Sequence, residues 1–248
     1  DDNVFENPES MYVNLLNPIN STIADAQGEG RILDNADKPS LSVSTTEVVE
    51  GGYAVFNIQL SNPSTQDVTF DLTPKEGTAT QDDYSSIVEV SYDGGVTWTP
   101  ASEAIIPAGK TQILARVQTT QDDIDELVEK FTLTADITSG NTTNVSSTGT
   151  ASILDNDGEP QIVISDSSVN EEDGLLTFVV SLSNPSSNVV TVNYVTADGT
   201  AISGSDYVSS TGTITFAPGE TSKIITVAVL DDNVFENPES MYVNLLNP

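Results

Sequence analysis

The 248-residue chain carries 7 basic and 38 acidic side chains, a formal net charge of −31, and neither cysteine nor histidine. Zinc, copper and iron–sulfur centres need thiolate or imidazole ligands and are excluded, as are disulfides and the Ser-His-Asp and Cys-His catalytic arrangements. So little positive charge also argues against nucleic acid and acidic lipid surfaces as partners.

The N-terminal DDNVFENPES has no signal-peptide character, and no apolar run approaches the ~20 residues of a membrane helix. The chain is therefore expected to be an excised or mature segment without membrane insertion of its own. Its first 18 residues, DDNVFENPESMYVNLLNP, return unchanged at 231–248, 230 residues further on. Chance does not give such an identity, and it points to a window on a longer array with a 230-residue unit. A degenerate repeat lies inside that unit. RILDNAD (31–37) returns as SILDNDG (152–158), LSNPSTQDVTF (60–70) as LSNPSSNVVTV (182–192), EGTATQDDY (76–84) as DGTAISGSDY (198–207), and PAGKTQILARV (107–117) as APGETSKIITV (217–227). The internal period of about 110–120 residues is the length of one β-sandwich domain. The expected division is a C-terminal part of one domain (1–37), a complete domain (38–157), and a domain lacking its last strand (158–248). The missing strand should resemble 19–37.

Taken along the chain, the apolar pattern predicts strands throughout. LSVSTTEVV (41–49), AVFNIQL (54–60), DVTFDL (67–72), TQILARVQT (111–119) and KFTLTADI (130–137) alternate or are rich in β-branched and aromatic residues. So do LLTFVVSL (175–182), VVTVNYVTA (189–197), GTITFA (212–217) and KIITVAVL (223–230). Asn-Pro, Pro-Gly and Asp-Gly steps separate them. The expected fold is all-β, tandem immunoglobulin-like antiparallel sandwiches arranged end to end, with Phe56, Phe131, Phe178 and Phe216 in the cores. SYDGGVTWT (91–99) matches the Asp-box of sialidase propellers, which is a hairpin device rather than a catalytic one. A structural hairpin with Trp98 against the sheet is the expectation, and glycan stacking on Trp98 the secondary reading.

The negative charge is gathered rather than scattered. Clusters sit at strand ends and in loops: Glu50, Asp82/Asp83, the 122–129 acids and Asp155/Asp157, then Glu171/Glu172, Asp198/Asp206 and Asp231/Asp232/Glu236/Glu239. Alternate loops of a sandwich meet at one end. Two unit charges at 4 Å repel by about 4 kcal/mol at an effective dielectric of 20. Such a tip implies a hard cation. Calcium, with six to eight oxygen ligands, fits better than octahedral magnesium, although no EF-hand loop or RTX-type nonapeptide is present.

These residues carry a resemblance. The GTA…GSDY loop, the APGE turn, the DDxxxExxE segment and the closing ILDND resemble the Calx-beta domain, known from sodium–calcium exchangers, integrin β4 and large bacterial surface proteins. The resemblance covers essentially the whole chain. It implies immunoglobulin-like sandwiches binding several calcium ions per complete domain at one tip. The implied ligands are Glu50, Asp83, Asp122, Glu126, Asp155 and Asp157 in the complete domain. In the last domain they are Glu171 or Glu172, Asp206, Asp231, Asp232 and Glu236. In the opening segment they are Asp1, Asp2, Glu6 and Asp34, with Asp37 a candidate substitute for the aspartate that Ala36 replaces. In the complete domain Gln121 stands opposite Asp231, one carboxylate fewer, so a weaker or smaller cluster is expected there.

The expected function is non-enzymatic: a calcium-binding repeat of a secreted or cell-surface stalk, adhesin or filament, with calcium stiffening the joints between neighbouring repeats. Head-to-tail self-association by strand addition, a glycan or cell-surface ligand, a glycoside-active module and a calcium sensor are the competing readings.

Overall fold

The computed structural model describes residues 3–34, 37–232 and 237–247. Almost every regular element is a strand. In chain order these are β1 (Glu9–Asn14), β2 (Gln27–Ile32), β3 (Leu41–Val43), β4 (Thr46–Val49), β5 (Tyr53–Leu60) and β6 (Val68–Glu76). There follow β7 (Tyr84–Ser91), β8 (Thr99–Pro100), β9 (Glu103–Ile106), β10 (Gln112–Thr119), β11 (Glu129–Ser139) and β12 (Ser146–Leu154). The last are β13 (Ile162–Ile164), β14 (Leu175–Leu182), β15 (Val190–Asp198), β16 (Thr211–Phe216), β17 (Ser222–Ala228) and β18 (Met241–Leu246). One 3₁₀ turn spans Glu171–Asp173. The chain forms two compact units, residues 1–121 with 129–154, and residues 122–128 with 155–248.

In the first unit, sheet β3-β5-β10-β7-β8 shares a core with sheet β4-β12-β11-β6-β9. The period-two pattern fixes the register. Along β5, Ala54, Phe56, Ile58 and Leu60 point inward, and Phe56 lies opposite Ala115 and Ile58 opposite Ile113 on β10. A slip of one residue would turn that whole face to solvent. Phe131 of β11 packs edge-on against Phe56 and stacks on Tyr84 at 4.2 Å between ring centroids. Each such fully buried side chain contributes about 2–3 kcal/mol. The neighbours are antiparallel except β4, which runs parallel to β12. The β1–β2 pair repeats the β11–β12 pairing, Met11 lying opposite Gly30 as Phe131 lies opposite Ala151. Met11, Tyr12 and Val13 are exposed along β1.

The second unit has sheets β13-β14-β17 and β16-β15-β18. Its core holds Phe178, Val180, Tyr207, Phe216, Ile225 and Val227. The four expected core phenylalanines are all buried. Among the described strands β18 pairs on one side only, with β15.

The G-T-A loop has a steric reason in both units. A Cβ on Gly77 would lie 2.4 Å from the Lys130 carbonyl oxygen, and one on Gly199 would lie 2.3 Å from that of Ser240. Ala79 and Ala201, two residues on, donate their N–H to those same carbonyls at 2.9 and 3.0 Å. Only glycine lets the loop press this closely on the strand that follows the acidic segment.

Candidate metal centre

The same backbone frame holds the acidic loops in each unit. Thr119 N–H donates to the Gly52 carbonyl (2.9 Å) and Thr120 N–H to that of Asp83 (2.8 Å). In the second unit Val229 N–H donates to Gly174 (3.0 Å) and Leu230 N–H to Asp206 (2.9 Å). Each frame draws the end of a core strand against the early glutamate turn and the aspartate of the D-Y loop. The aspartates are aimed in the same way: Asp83 Oδ2 accepts from Thr80 N–H and Asp206 Oδ2 from Ile202 N–H, both at 2.6 Å.

Glu50 is only 7% exposed, an unusual place for a carboxylate. Its Oε1 accepts from the Gln121 side-chain amide at 2.7 Å, and its N–H donates to the Leu154 carbonyl at 3.0 Å. Asp122 follows Gln121 directly, and its Oδ1 accepts from Ile124 N–H at 2.8 Å. Asp157 stands three residues beyond Leu154. Its N–H donates to Asp155 Oδ1 (3.2 Å), while its own Oδ2 is buried without a hydrogen-bond partner. Carboxylate oxygens of Glu50, Asp122 and Asp157 lie within 4.8 Å of one another. A second group at the same spacing joins Asp83, Glu126 and Glu129. Asp155 belongs to neither group.

Of the other ligands implied by resemblance, Glu171 and Glu172 lie in the 3₁₀ turn, and Glu172 occupies the place of Glu50 when Phe178 is laid on Phe56. Asp231 and Asp232 are exposed just beyond Leu230. In the opening segment Glu6 N–H points to Asp34 Oδ1 at 3.4 Å, and Asp37, like Asp157, has a buried Oδ2 with no hydrogen-bond partner. Asp1, Asp2 and Glu236 lie outside the described residues. Glu129 is not among the ligands that the resemblance implies. Its signal was the ExxE spacing with Glu126, which brings the first residue of β11 back to the loop.

Two further polar features are held by hydrogen bonds. Tyr207 donates its hydroxyl to Asp198 Oδ1 at 2.6 Å, and Ser203 N–H donates to the same oxygen at 2.9 Å. The hydroxyl, then the amide, hold the Asp198 carboxyl below its ordinary range, and burial followed by that same hydrogen bond raises the Tyr207 phenol. In the Asp-box, Asp93 accepts from Ser91 Oγ (2.7 Å), Thr97 Oγ1 (2.6 Å) and the N–H groups of Val96 and Thr97. The Thr97 bonds chiefly keep its carboxyl far below the usual range. Trp98 donates its indole N–H to the Gly95 carbonyl at 3.0 Å. Arg116, paired with Glu89 at 2.7 Å, lies 4.3 Å from the Trp98 ring centroid and 3.9 Å from that of Tyr53. A ring face covered by guanidinium is not open for a sugar.

A family model for the Calx-beta domain matches residues 34–158 and 155–248. The chain is 50% identical over 60 residues to sodium/calcium exchanger 1 of Canis lupus familiaris, a stretch covering 24% of this chain and 6% of the exchanger. It is 50% identical over 56 residues to sodium/calcium exchanger 2 of Homo sapiens, covering 23% and 6%. Among solved structures, CBD12 from CALX1.2 aligns over 82% of this chain and 79% of its own, at 19% identity and a TM-score of 0.36. The apo-form Calx CBD1 domain aligns over 32% and 69%, at 37% identity and a TM-score of 0.31. The chain belongs to the Calx-beta domain family, represented twice in tandem.

Proposed function

We propose that this chain is a calcium-binding repeat segment with no catalytic role, whose loop carboxylates take up Ca²⁺ and fasten the connections from one sandwich to the next. The observation that carries this reading is the grouping of the Glu50, Asp122 and Asp157 carboxylates, together with the buried Asp157 Oδ2 that no hydrogen bond satisfies. Buried carboxylates without a counter-cation are costly, and calcium accepts this kind of irregular all-oxygen shell. The sodium/calcium exchangers among the relatives handle the same ion. The ligands proposed for the first tip are Glu50, Asp83, Asp122, Glu126, Asp155 and Asp157, joined by Glu129. Those for the next are Glu171 or Glu172, Asp206, Asp231, Asp232 and Glu236, and those for the opening segment Asp1, Asp2, Glu6, Asp34 and Asp37.

Tandem repetition, with one 18-residue segment returning unchanged 230 residues on, suits a long secreted or cell-surface stalk, adhesin or filament, where millimolar calcium fills even weak sites. Calorimetric titration with Ca²⁺, paired with thermal melting with and without chelator, tests the reading. Each site filled at 100-fold excess over its Kd adds about 2.7 kcal/mol, so saturation raises Tm by about 5–10 °C or more. Absence of calorimetric binding together with an unchanged Tm would refute it.

A further inference from the structure

The L-S-N-P-S turn, which the metal reading leaves unused, grips an acidic loop in the same way twice. In the first unit Phe5 N–H donates to the Pro63 carbonyl at 3.0 Å, and the Phe5 carbonyl accepts from Thr65 N–H at 2.9 Å. Thr65 Oγ1 adds a third bond to that carbonyl at 3.0 Å. In the second unit Asp125 N–H donates to the Pro185 carbonyl at 3.0 Å, and the Asp125 carbonyl accepts from Ser187 N–H at 2.9 Å and from Ser187 Oγ at 3.2 Å. Both are one-residue parallel bridges, Phe5 to Ser64 and Asp125 to Ser186. Phe5 and Asp125 hold the same place in the repeat, each directly before a glutamate, Glu6 or Glu126.

Both turns are built for this grip. Ser64 and Ser186 are buried, and their Oγ atoms accept from Gln66 N–H (3.0 Å) and Asn188 N–H (3.1 Å). Their carbonyls accept from Gly109 N–H (2.9 Å) and Gly219 N–H (3.0 Å), at the tips of the P-A-G-K and A-P-G-E turns. Asn62 and Asn184 donate side-chain amides to the carbonyls of Asp37 and Gly158, which ties the incoming chain to the same turn. The side chains of the gripped residues differ. That of Phe5 is buried, whereas the Asp125 carboxylate accepts from Ser186 Oγ at 2.8 Å.

We infer that the L-S-N-P-S turn is a receptor for the acidic loop of the preceding repeat. It recognises backbone at one residue and accepts either an apolar or an acidic side chain there. This is strand addition reduced to a single residue: main-chain bonds give the grip and the side chain sets its strength. The third acidic loop has Phe235 at the corresponding place, in a segment identical to the first.

The grip does not depend on the metal and is tested without it. The chain has no cysteine, so introduced pairs report cleanly. In chelator, the full chain with Asp125→Cys and Ser186→Cys, and separately with Phe5→Cys and Ser64→Cys, is expected to cross-link at least about tenfold faster on mild oxidation than an Asp123→Cys/Ser186→Cys control. Hydrogen exchange on the cysteine-free chain gives a second reading. Thr65 and Ser187 amides are protected; Phe5→Pro and Asp125→Pro delete the N–H donated to Pro63 and Pro185, break that half of the bridge and so speed exchange only at their own partner amide, with Val117 and Val227 reporting that the cores stay intact. Cross-linking no faster than the control, or Thr65 and Ser187 exchanging as freely as open loops, would overturn the inference.

Discussion

At the residue scale, Gln121 shows how one atom retunes a charged tip. It stands where the next repeat has Asp231, and its amide occupies an oxygen of the buried Glu50. A neutral donor there relieves carboxylate repulsion without a cation, and so lowers the drive to bind one. Gln121→Asp is expected to tighten calcium binding at this tip about tenfold, since affinity follows ligand charge count. Equal or weaker binding by calorimetry would mean that Gln121 is not at the metal. The Asp198–Tyr207 pair is one source of pH dependence, beside Asp93 and Glu220, whose carboxyls are also held low. The Asp198 carboxyl is depressed in the folded state, so its contribution is fully present above the unfolded value of about 3.9. It is lost as pH falls through the folded value. Asp198→Asn should therefore flatten acid unfolding below pH ~4, read by circular dichroism, and an unchanged curve would show that the pair contributes nothing there. Gly77→Ala forces backbone apart and should destabilise the first sandwich by about 2 kcal/mol. Gly28→Ala, with nothing within 4 Å, should stay within about 0.5 kcal/mol.

At the element scale, the alternating strands, the N-P and P-G turns and the Asp-box hairpin were legible because each rests on contacts between neighbours in sequence or on period-two burial. The hairpin is held by Asp93 and closed by Trp98 under Arg116. Asp93→Ala should open it. Trp98 is the chain's single tryptophan, so its emission would shift to the red, and an unchanged spectrum would show that the hairpin closes without the aspartate. Glu129 and the turn receptor were not legible in the same way. Glu129 begins a strand and reads as an ordinary end-of-strand charge. The receptor works through backbone N–H and carbonyl groups 60 to 62 residues apart, which any side chain can bring, as Phe5 and Asp125 show. Gln121 was visible as a lost carboxylate, but its bond to Glu50 depends on Glu50 being buried, which composition cannot reveal.

At the scale of the whole molecule, the charge of −31 set against 7 basic residues leaves the metal-free chain self-repelling. Its stability in chelator should rise with NaCl as the charges are screened. The calcium-loaded chain should respond less, and equal salt slopes from melting curves would place the charge on the general surface instead of in the loops. Much of the organisation followed from the repeat: two family segments, a common frame, and an opening β-pair in the register of β11 and β12.

The parallel run of β4 beside β12 has a mechanical consequence. Thr46 to Val49 lie against Ala151 to Leu154, so the strands nearest the two ends of the sandwich are bonded side by side and point the same way. A pull applied through those ends slides one along the other. It loads the rungs of that ladder together rather than peeling them one at a time, and resistance to such a load is governed by the unfolding barrier. Val48→Pro, which removes a backbone N–H from the ladder, should lower the rupture force of the first sandwich in single-molecule extension far more than it lowers its melting temperature. The strand order would then set how much tension each sandwich bears, apart from how stable it is at rest.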